Sequence, residues 1–382
     1  MKHIAFISGV LLACSTLIPM TVSADDDTIG EKSSGDYTYT IDSETGNAVI
    51  NGYSGSDSNL VIPDKLDEYS VSSIDANAFY KGGSKIETVT IPSSLEEIGD
   101  NAFFDCTSIK EFIVDEKNEN FYTDETGVLF RKSDNCLIAF PPASDATSYT
   151  VPDGVTEIHG GAMAKCNNLK EITLPDGLVY IDDWAFAYNT FSKIDIPDSV
   201  AEICDYSFAY CENVTSWKLP ESLVYIGNAA FANCTGMKEV VIPSHVTSVG
   251  MAAFVGTGLT EVTIPPNIET IGYCAFGYKD MENAVDDFVI YGQAGGAAAQ
   301  YATDSDEDNS YSNSFTFVTV SDATVPRGGA SKEEDSQSTQ PNVTITKEKE
   351  PKNTGKIILL SIGAAVLVIG GGIILFTTNK RS

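Results

Sequence analysis

The 382-residue chain carries 54 Asp and Glu against 23 Lys and Arg, a formal charge of −31. Phosphate neutralisation needs clustered base, so this deficit excludes a nucleic-acid partner and disfavours docking of the body on anionic lipid. At 42% hydrophobic and 10% aromatic the chain can bury a sizeable core, but its three His leave little room for imidazole chemistry.

At the N-terminus Lys2 precedes the apolar stretch Ile4 to Ile18, and Val22-Ser23-Ala24 suits signal peptidase, so residues 1–24 read as a signal peptide. An alternative is a lipobox at Leu11-Leu12-Ala13-Cys14, with lipid on Cys14. Residues 25–73 read as an N-terminal cap, with a hairpin over Tyr37 to Gly52 around the turn Thr45-Gly46-Asn47.

Two landmarks then repeat in step. An apolar residue precedes proline at Pro63, Pro92, Pro152, Pro175, Pro197, Pro220, Pro243 and Pro265, spaced 23, 22, 23, 23 and 22 residues apart from Pro152 onward. An Ile or Val stands five residues before an aromatic at Ile74/Phe79, Ile98/Phe103, Ile181/Phe186, Ile203/Phe208, Ile226/Phe231, Val249/Phe254 and Ile271/Phe276, with Ile158/Met163 the eighth pair. The residue before that Phe or Met is always small. One such unit buries too few side chains to offset the entropy of ordering its backbone, so the units must stack into a solenoid, here over residues 74–277. An insert at about 114–150 stretches Pro92 to Pro152 to 60 residues.

Within each unit the strand is expected on runs such as Leu169 to Leu174, where Ile172 and Leu174 alternate inward and Pro175 ends the ladder. Its outward columns hold Thr88, Glu171, Lys193, Ser216, Glu239 and Glu261, then Thr90, Thr173, Asp195, Lys218, Val241 and Thr263. The ten beyond the insert are the candidate binding face. Asp195 is expected opposite Lys218 on the neighbouring strand.

Residues 278–320 read as a C-terminal cap and 321–355, rich in Ser, Thr, Lys, Glu and Pro, as a stalk. The segment 356–378 contains the uncharged run Ile357 to Phe376, long enough to span a membrane, and the tail 379–382 with Lys380 and Arg381 marks the cytoplasmic side. Thr354-Gly355 before that run resembles a cell-wall sorting signal, although Pro351 lies three rather than two residues ahead of Thr354. Membrane anchoring and sortase attachment both stay open.

The full unit, Pro-x-x-(Leu/Val)-x-x-Ile-x-x-x-Ala-Phe-x-x-Cys-x-x-Leu-x-x-Ile-x-(Ile/Leu), resembles the BspA-like, or Treponema pallidum-type, leucine-rich repeat. That resemblance implies a β-rich repeat solenoid with one short parallel strand per 22–23-residue coil, capped at both ends. It also implies that Phe288 to Gly295, Ala297 to Ala302 and Phe315 to Val320 form the family's terminal strand, helix and strand.

Chemistry-bearing residues read mostly as frame positions. Cys106, Cys166, Cys211 and Cys234 each follow the Phe or Met landmark by three residues, a column of buried thiols. No Cys-x-x-Cys occurs, so no zinc site is expected, and Asp304 to Asp308 lacks the glycine and distal glutamate of a calcium loop. His159 stands where other coils have Gly99, Gly227, Gly250 and Gly272, and His245 lies in a Pro-x-x turn. No catalytic residue, cofactor or metal is therefore expected. Tyr188 and Tyr210 share one repeat position and form either an aromatic patch or ridge packing.

The resemblance implies a non-enzymatic bacterial surface protein that binds an extracellular protein: host matrix, plasma or receptor protein, or another microbe's surface protein. Recognition of glycans through Tyr188 and Tyr210, and a passive spacer, are the rival readings.

Overall fold

The computed structural model describes residues 30–80, 82–306 and 311–320, with the short strands Leu367–Ile369 and Gly372–Ile374. The chain divides into two units, Ile29–Thr346 and a second made of Met1–Thr28 with Lys347–Ser382. In the second, those two strands pair antiparallel inside the run expected to span a membrane. The rest of that run, the leader 1–24, the stalk 321–355 and the tail 379–382 lie outside the described residues. Among the described residues no helix is long and apolar enough to cross a membrane.

The first unit begins with an antiparallel set, Lys32–Ser34, Tyr37–Ile41 and Ala48–Tyr53. Its turn is locked by Asp42, whose Oδ1 accepts bonds from the Glu44 and Thr45 amides, and by Gly46 at φ +71°. Ala48–Tyr53 then pairs parallel with Tyr69–Ile74, and that strand with Glu97–Ile98.

All eight coils supply one short strand, and each ends on the Ile or Val of the Ile/Phe landmark. Beyond the insert these are Glu157–Ile158, Tyr180–Ile181, Glu202–Ile203, Tyr225–Ile226, Ser248–Val249 and Thr270–Ile271, parallel and in register. The insert extends the same sheet through a meander of Phe121–Thr123, Leu129–Arg131 and Leu137–Ala139, the last parallel to Glu157–Ile158. Ser148–Thr150 then pairs with Glu171–Thr173 on the other side of the coil, so the insert fills a place in the stack.

A second ladder runs along the Ala-Phe turns. Trp184, Phe186 and Tyr188 donate their amides to the Asp205, Ser207 and Ala209 carbonyls at 2.9, 2.8 and 2.8 Å. Tyr206, Phe208 and Tyr210 do the same to Asn228, Ala230 and Ala232, and the pattern continues into the next coils. Presenting three amides in one direction requires left-handed backbone two residues before and after each Phe: Trp184 and Tyr188 have φ of 60° and 62°, Tyr206 and Tyr210 59° and 62°. That conformation costs an L-residue about 1–2 kcal/mol, which the inter-coil bonds offset. Inside, Phe186, Phe208, Phe231, Phe254 and Phe276 stack at centroid spacings of 5.2, 5.5, 5.2 and 4.9 Å.

The expected strand position holds in some coils and fails in others. Of the outward columns Thr88–Ile91, Glu171–Thr173 and Glu261–Thr263 do lie in strands, the first paired parallel with Asn59–Val61 and Glu111–Val114. Among the described residues, 191–196, 213–219 and 238–242 make no backbone–backbone hydrogen bond. Ile194, Ile196, Trp217, Leu219 and Ile242 are nonetheless buried. Alternation in sequence reports which side chains are buried, and an extended segment can bury every second side chain without pairing its backbone.

At the C-terminal end Glu261–Thr263, Val289–Gly292 and Thr316–Thr319 form a parallel sheet. The helix Ala297–Thr303 buries Ala298, Tyr301 and Ala302, and the Tyr301 hydroxyl donates to the Phe276 carbonyl at 2.7 Å. This closes the apolar end of the stack.

Candidate functional site

The face built by the ten candidate residues is exposed as the alternation requires. Glu171, Thr173, Lys193, Asp195, Ser216, Lys218, Glu239, Val241 and Glu261 are exposed, and Thr263 is half-buried. Lys193 pairs within its own coil, Nζ to Asp195 Oδ2 at 2.6 Å, and Lys218 reaches Asp198 Oδ1 in the preceding turn at 3.1 Å. Asp195 is therefore not the partner of Lys218, because the lysine stem reaches the turn carboxylate instead. The bond to Asp195 raises the Lys193 pKa, and the bond from Lys218 lowers that of Asp198. With both cations engaged, Glu171, Glu239 and Glu261 leave the face acidic, and Val241 is its exposed apolar residue.

The turn ridge carries an aromatic row that the repeat spacing foreshadowed only in part. Tyr188 and Tyr210 stack at 4.5 Å, and Trp184 stacks on Tyr206 at 4.2 Å. Phe104 meets Trp184 edge-on at 5.5 Å. Lys165, paired with Asp105, sits 5.1 Å from the Tyr188 ring centroid, so one side of Tyr188 faces a cation and another faces Tyr210. A sugar needs a free ring face. The ring of Tyr188 is taken up by Lys165 and Tyr210. Trp184 and Tyr206 escaped the sequence reading although they too are 22 residues apart and stand two before the landmark Phe.

The cysteine column is a row of small donors under the turns. All seven described cysteines are free and buried. Cys211 Sγ lies 3.2 Å from the Phe186 carbonyl and Cys234 Sγ 3.1 Å from that of Phe208. Asn189 is an unrecognised member: its Nδ2 donates to the Met163 and Phe186 carbonyls, both at 2.8 Å. Burial pushes the Cys106, Cys204 and Cys211 thiols up to about 12, well away from nucleophilic thiolate.

Beside the ridge runs a row of carboxylates. Asp183 Oδ1 accepts the Asp205 amide at 2.8 Å, and Asp205 Oδ1 the Asn228 amide at 2.6 Å. Burial, then the Asp205 carboxylate, pushes Asp183 up to about 6. His159 is set into this row for a local reason. A side chain at Gly227, Gly250 or Gly272 would meet the preceding coil's backbone at 2.4–2.5 Å. At 159 the preceding neighbour is the insert strand, whose Leu137 carbonyl accepts the His159 amide, and the imidazole fits. Burial lowers its pKa, but Glu157, Asp100 and Asp182 outweigh that and the net direction is up.

No match was found among curated proteins. Among solved structures, a leucine rich cell surface protein of Faecalibacterium prausnitzii is 20% identical, over 70% of this chain and 89% of that one, with a TM-score of 0.33. The pneumococcal vaccine antigen PcpA is 17% identical over 78% and 95%, with a TM-score of 0.38. The T. pallidum leucine rich repeat protein is 19% identical over 64% and 82%, with a TM-score of 0.20. The model of the BspA type leucine rich repeat region matches six copies at residues 54–125, 138–257 and 225–285, together more than half of the chain, and the protein belongs to that family.

Proposed function

We propose that the protein is a non-catalytic binding scaffold displayed on a bacterial cell surface, where the face of Glu171, Thr173, Lys193, Asp195, Ser216, Lys218, Glu239, Val241, Glu261 and Thr263 engages an extracellular protein. The observation that carries this reading is the combination of that face with its frame. Nine of the ten side chains are exposed, and the alternate side chains Ile172, Ile194, Trp217 and Val262 anchor their backbone in the core. Such a surface is preorganised, so binding orders little. Because the two lysines are paired with Asp195 and Asp198, the complementary partner surface is basic.

Display at the surface is supported by the leader-like residues 1–24 and by the uncharged run followed by Lys380 and Arg381. Residues 321–355 serve as the spacer between body and anchor, whether that anchor is membrane or wall. Partner classes are a host matrix, plasma or receptor protein, or a surface protein of another microbe.

The test is binding of the purified protein to immobilised matrix proteins, plasma proteins and glycans at physiological salt. A saturable signal on one protein that survives its deglycosylation is the expected result. A signal that follows the glycan instead favours carbohydrate recognition. Silence across the panel from folded protein leaves the spacer reading.

A further inference from the structure

Cys136 lies at the entry to the insert strand Leu137–Ala139, while Glu157 opens the paired coil strand Glu157–Ile158 and His159 follows it. Sequence separation hides this grouping, because ligands 21 and 23 residues apart have no local motif. The pairing of Leu137 with Ile158 is what assembles it.

One donor atom from each residue, the Cys136 thiol sulfur, a Glu157 carboxylate oxygen and a His159 ring nitrogen, lies within 4.8 Å of the other two. Cys136 is 0% and His159 7% exposed. His159 Nε2 is 3.2 Å from the Ile98 carbonyl and 3.4 Å from Asp100 Oδ1. Its Nδ1 is buried without a hydrogen-bond partner, and Glu157 Oε1 stands 3.8 Å away, across a gap too wide for a direct bond. An orphaned buried nitrogen is costly, and it is uncommon enough in folded proteins to call for an occupant. A neighbouring carboxylate and thiol with it make the sulfur, nitrogen and oxygen donor set of a borderline-soft divalent ion.

We propose that Cys136, Glu157 and His159 Nδ1 bind one divalent metal ion of the zinc class, which ties the insert to the first coil after it. Zinc bonds of about 2.0–2.3 Å place tetrahedral ligand atoms roughly 3.3–3.6 Å apart. The 3.8 Å gap between Nδ1 and Oε1 is already close to that edge. Glu157 makes the remaining adjustment, since its side chain is 31% exposed and gives the ion its path from solvent. Arg131, whose Nη2 lies 3.9 Å from the same Glu157 oxygen, is held by Asp134 through bonds of 2.7–3.0 Å, so its charge is already matched. Binding forms a metal–sulfur bond as the Cys136 S–H bond breaks, and that proton passes to solvent. The fourth position takes water.

The test uses the full chain, stripped with chelator and titrated with cobalt(II) alone and then with zinc. The expected result is one cobalt per chain, a thiolate-to-cobalt absorption band, its loss on adding one equivalent of zinc, and a zinc-dependent rise in Tm. Cys136→Ala abolishes the band. His159→Gly, which restores the residue found at Gly227 and Gly250, weakens zinc binding at least about tenfold. Cys204→Ala, at another acidic cluster, changes neither. Absence of cobalt uptake by a chain with native circular dichroism overturns the proposal, as does a band that survives Cys136→Ala or disappears in Cys204→Ala. If Cys136→Ala does not fold, unchanged zinc affinity in His159→Gly overturns it.

Discussion

The indole of Trp184 lies flat on the phenol ring of Tyr206 in the next coil, centroids 4.2 Å apart and planes within 3°. Both residues hold left-handed backbone, at φ of 60° and 59°. The stack and the strain therefore sit at the same place. Replacing either ring with Ala loses stacking without relieving the backbone, whereas Gly relieves it. In a double-mutant cycle with Ala, the coupling between the two positions is expected at about 0.5–1.5 kcal/mol. Denaturant unfolding measures it, and zero coupling would show that the rings are stacked by the frame alone.

Asp183 gives the protein a pH dependence of defined sign. Its carboxyl is pushed up to about 6, so the native state holds this proton more tightly than the unfolded chain, which releases it at about 4. Stability from this group therefore falls as pH rises from about 4 to about 6, and the penalty is fully present above. Asp183→Asn keeps an oxygen for the Asp205 amide and removes the charge. Its Tm should exceed that of the parent at pH 7, with the gap closing toward pH 4. An equal gap at both pH values would contradict the assignment.

Asn189 should be the most sensitive polar position of the turn column. It is 2% exposed and bonds two carbonyls at 2.8 Å. Asn189→Ala leaves the Met163 carbonyl without a donor and the Phe186 carbonyl with the Cys211 thiol alone, and is expected to cost about 1–2 kcal/mol. Asn189→Cys should cost less, because Cys211 and Cys234 serve the same role in later coils. Chemical unfolding of the two variants decides the order.

The double change Lys193→Glu and Lys218→Glu tests the binding face. Both side chains are well exposed, so each substitution should shift stability by only about 0.5 kcal/mol. Attachment to the partner should change, and its salt dependence with it. Attachment unaffected by the pair would move the binding surface elsewhere on the molecule.

The repeat was legible because it is written in volume and polarity. Eight Ile/Phe landmarks gave the stack, and the Cys column was read correctly as buried thiols. Hydrogen bonding was less legible. Lys193 and Asp195 alternate with buried Ile194 as a strand would, yet the paired strands of their coils are Tyr180–Ile181 and Glu202–Ile203. Trp184 and Tyr188 were opaque for a different reason: nothing in a large aromatic announces left-handed backbone, which the inter-coil bonds impose. The grouping of Cys136 with His159 depended on where the insert re-enters the stack, and periodicity does not encode that position.

The turn ladder makes neighbouring joints nearly interchangeable, and this bears on how such a chain can change length. Pro197 to Leu219 is one period, bounded by Ile196-Pro197 and Leu219-Pro220. Excising it joins Ile196 to Pro220 and brings Phe186 beside Phe231, whose turn presents the same carbonyls. The shortened chain should refold with a cooperative transition, which thermal melting can check. Loss of a half period would instead set turns against strands. Length in this stretch can thus be gained or lost in whole coils without redesigning either end, and the reach of the acidic face scales with the number kept.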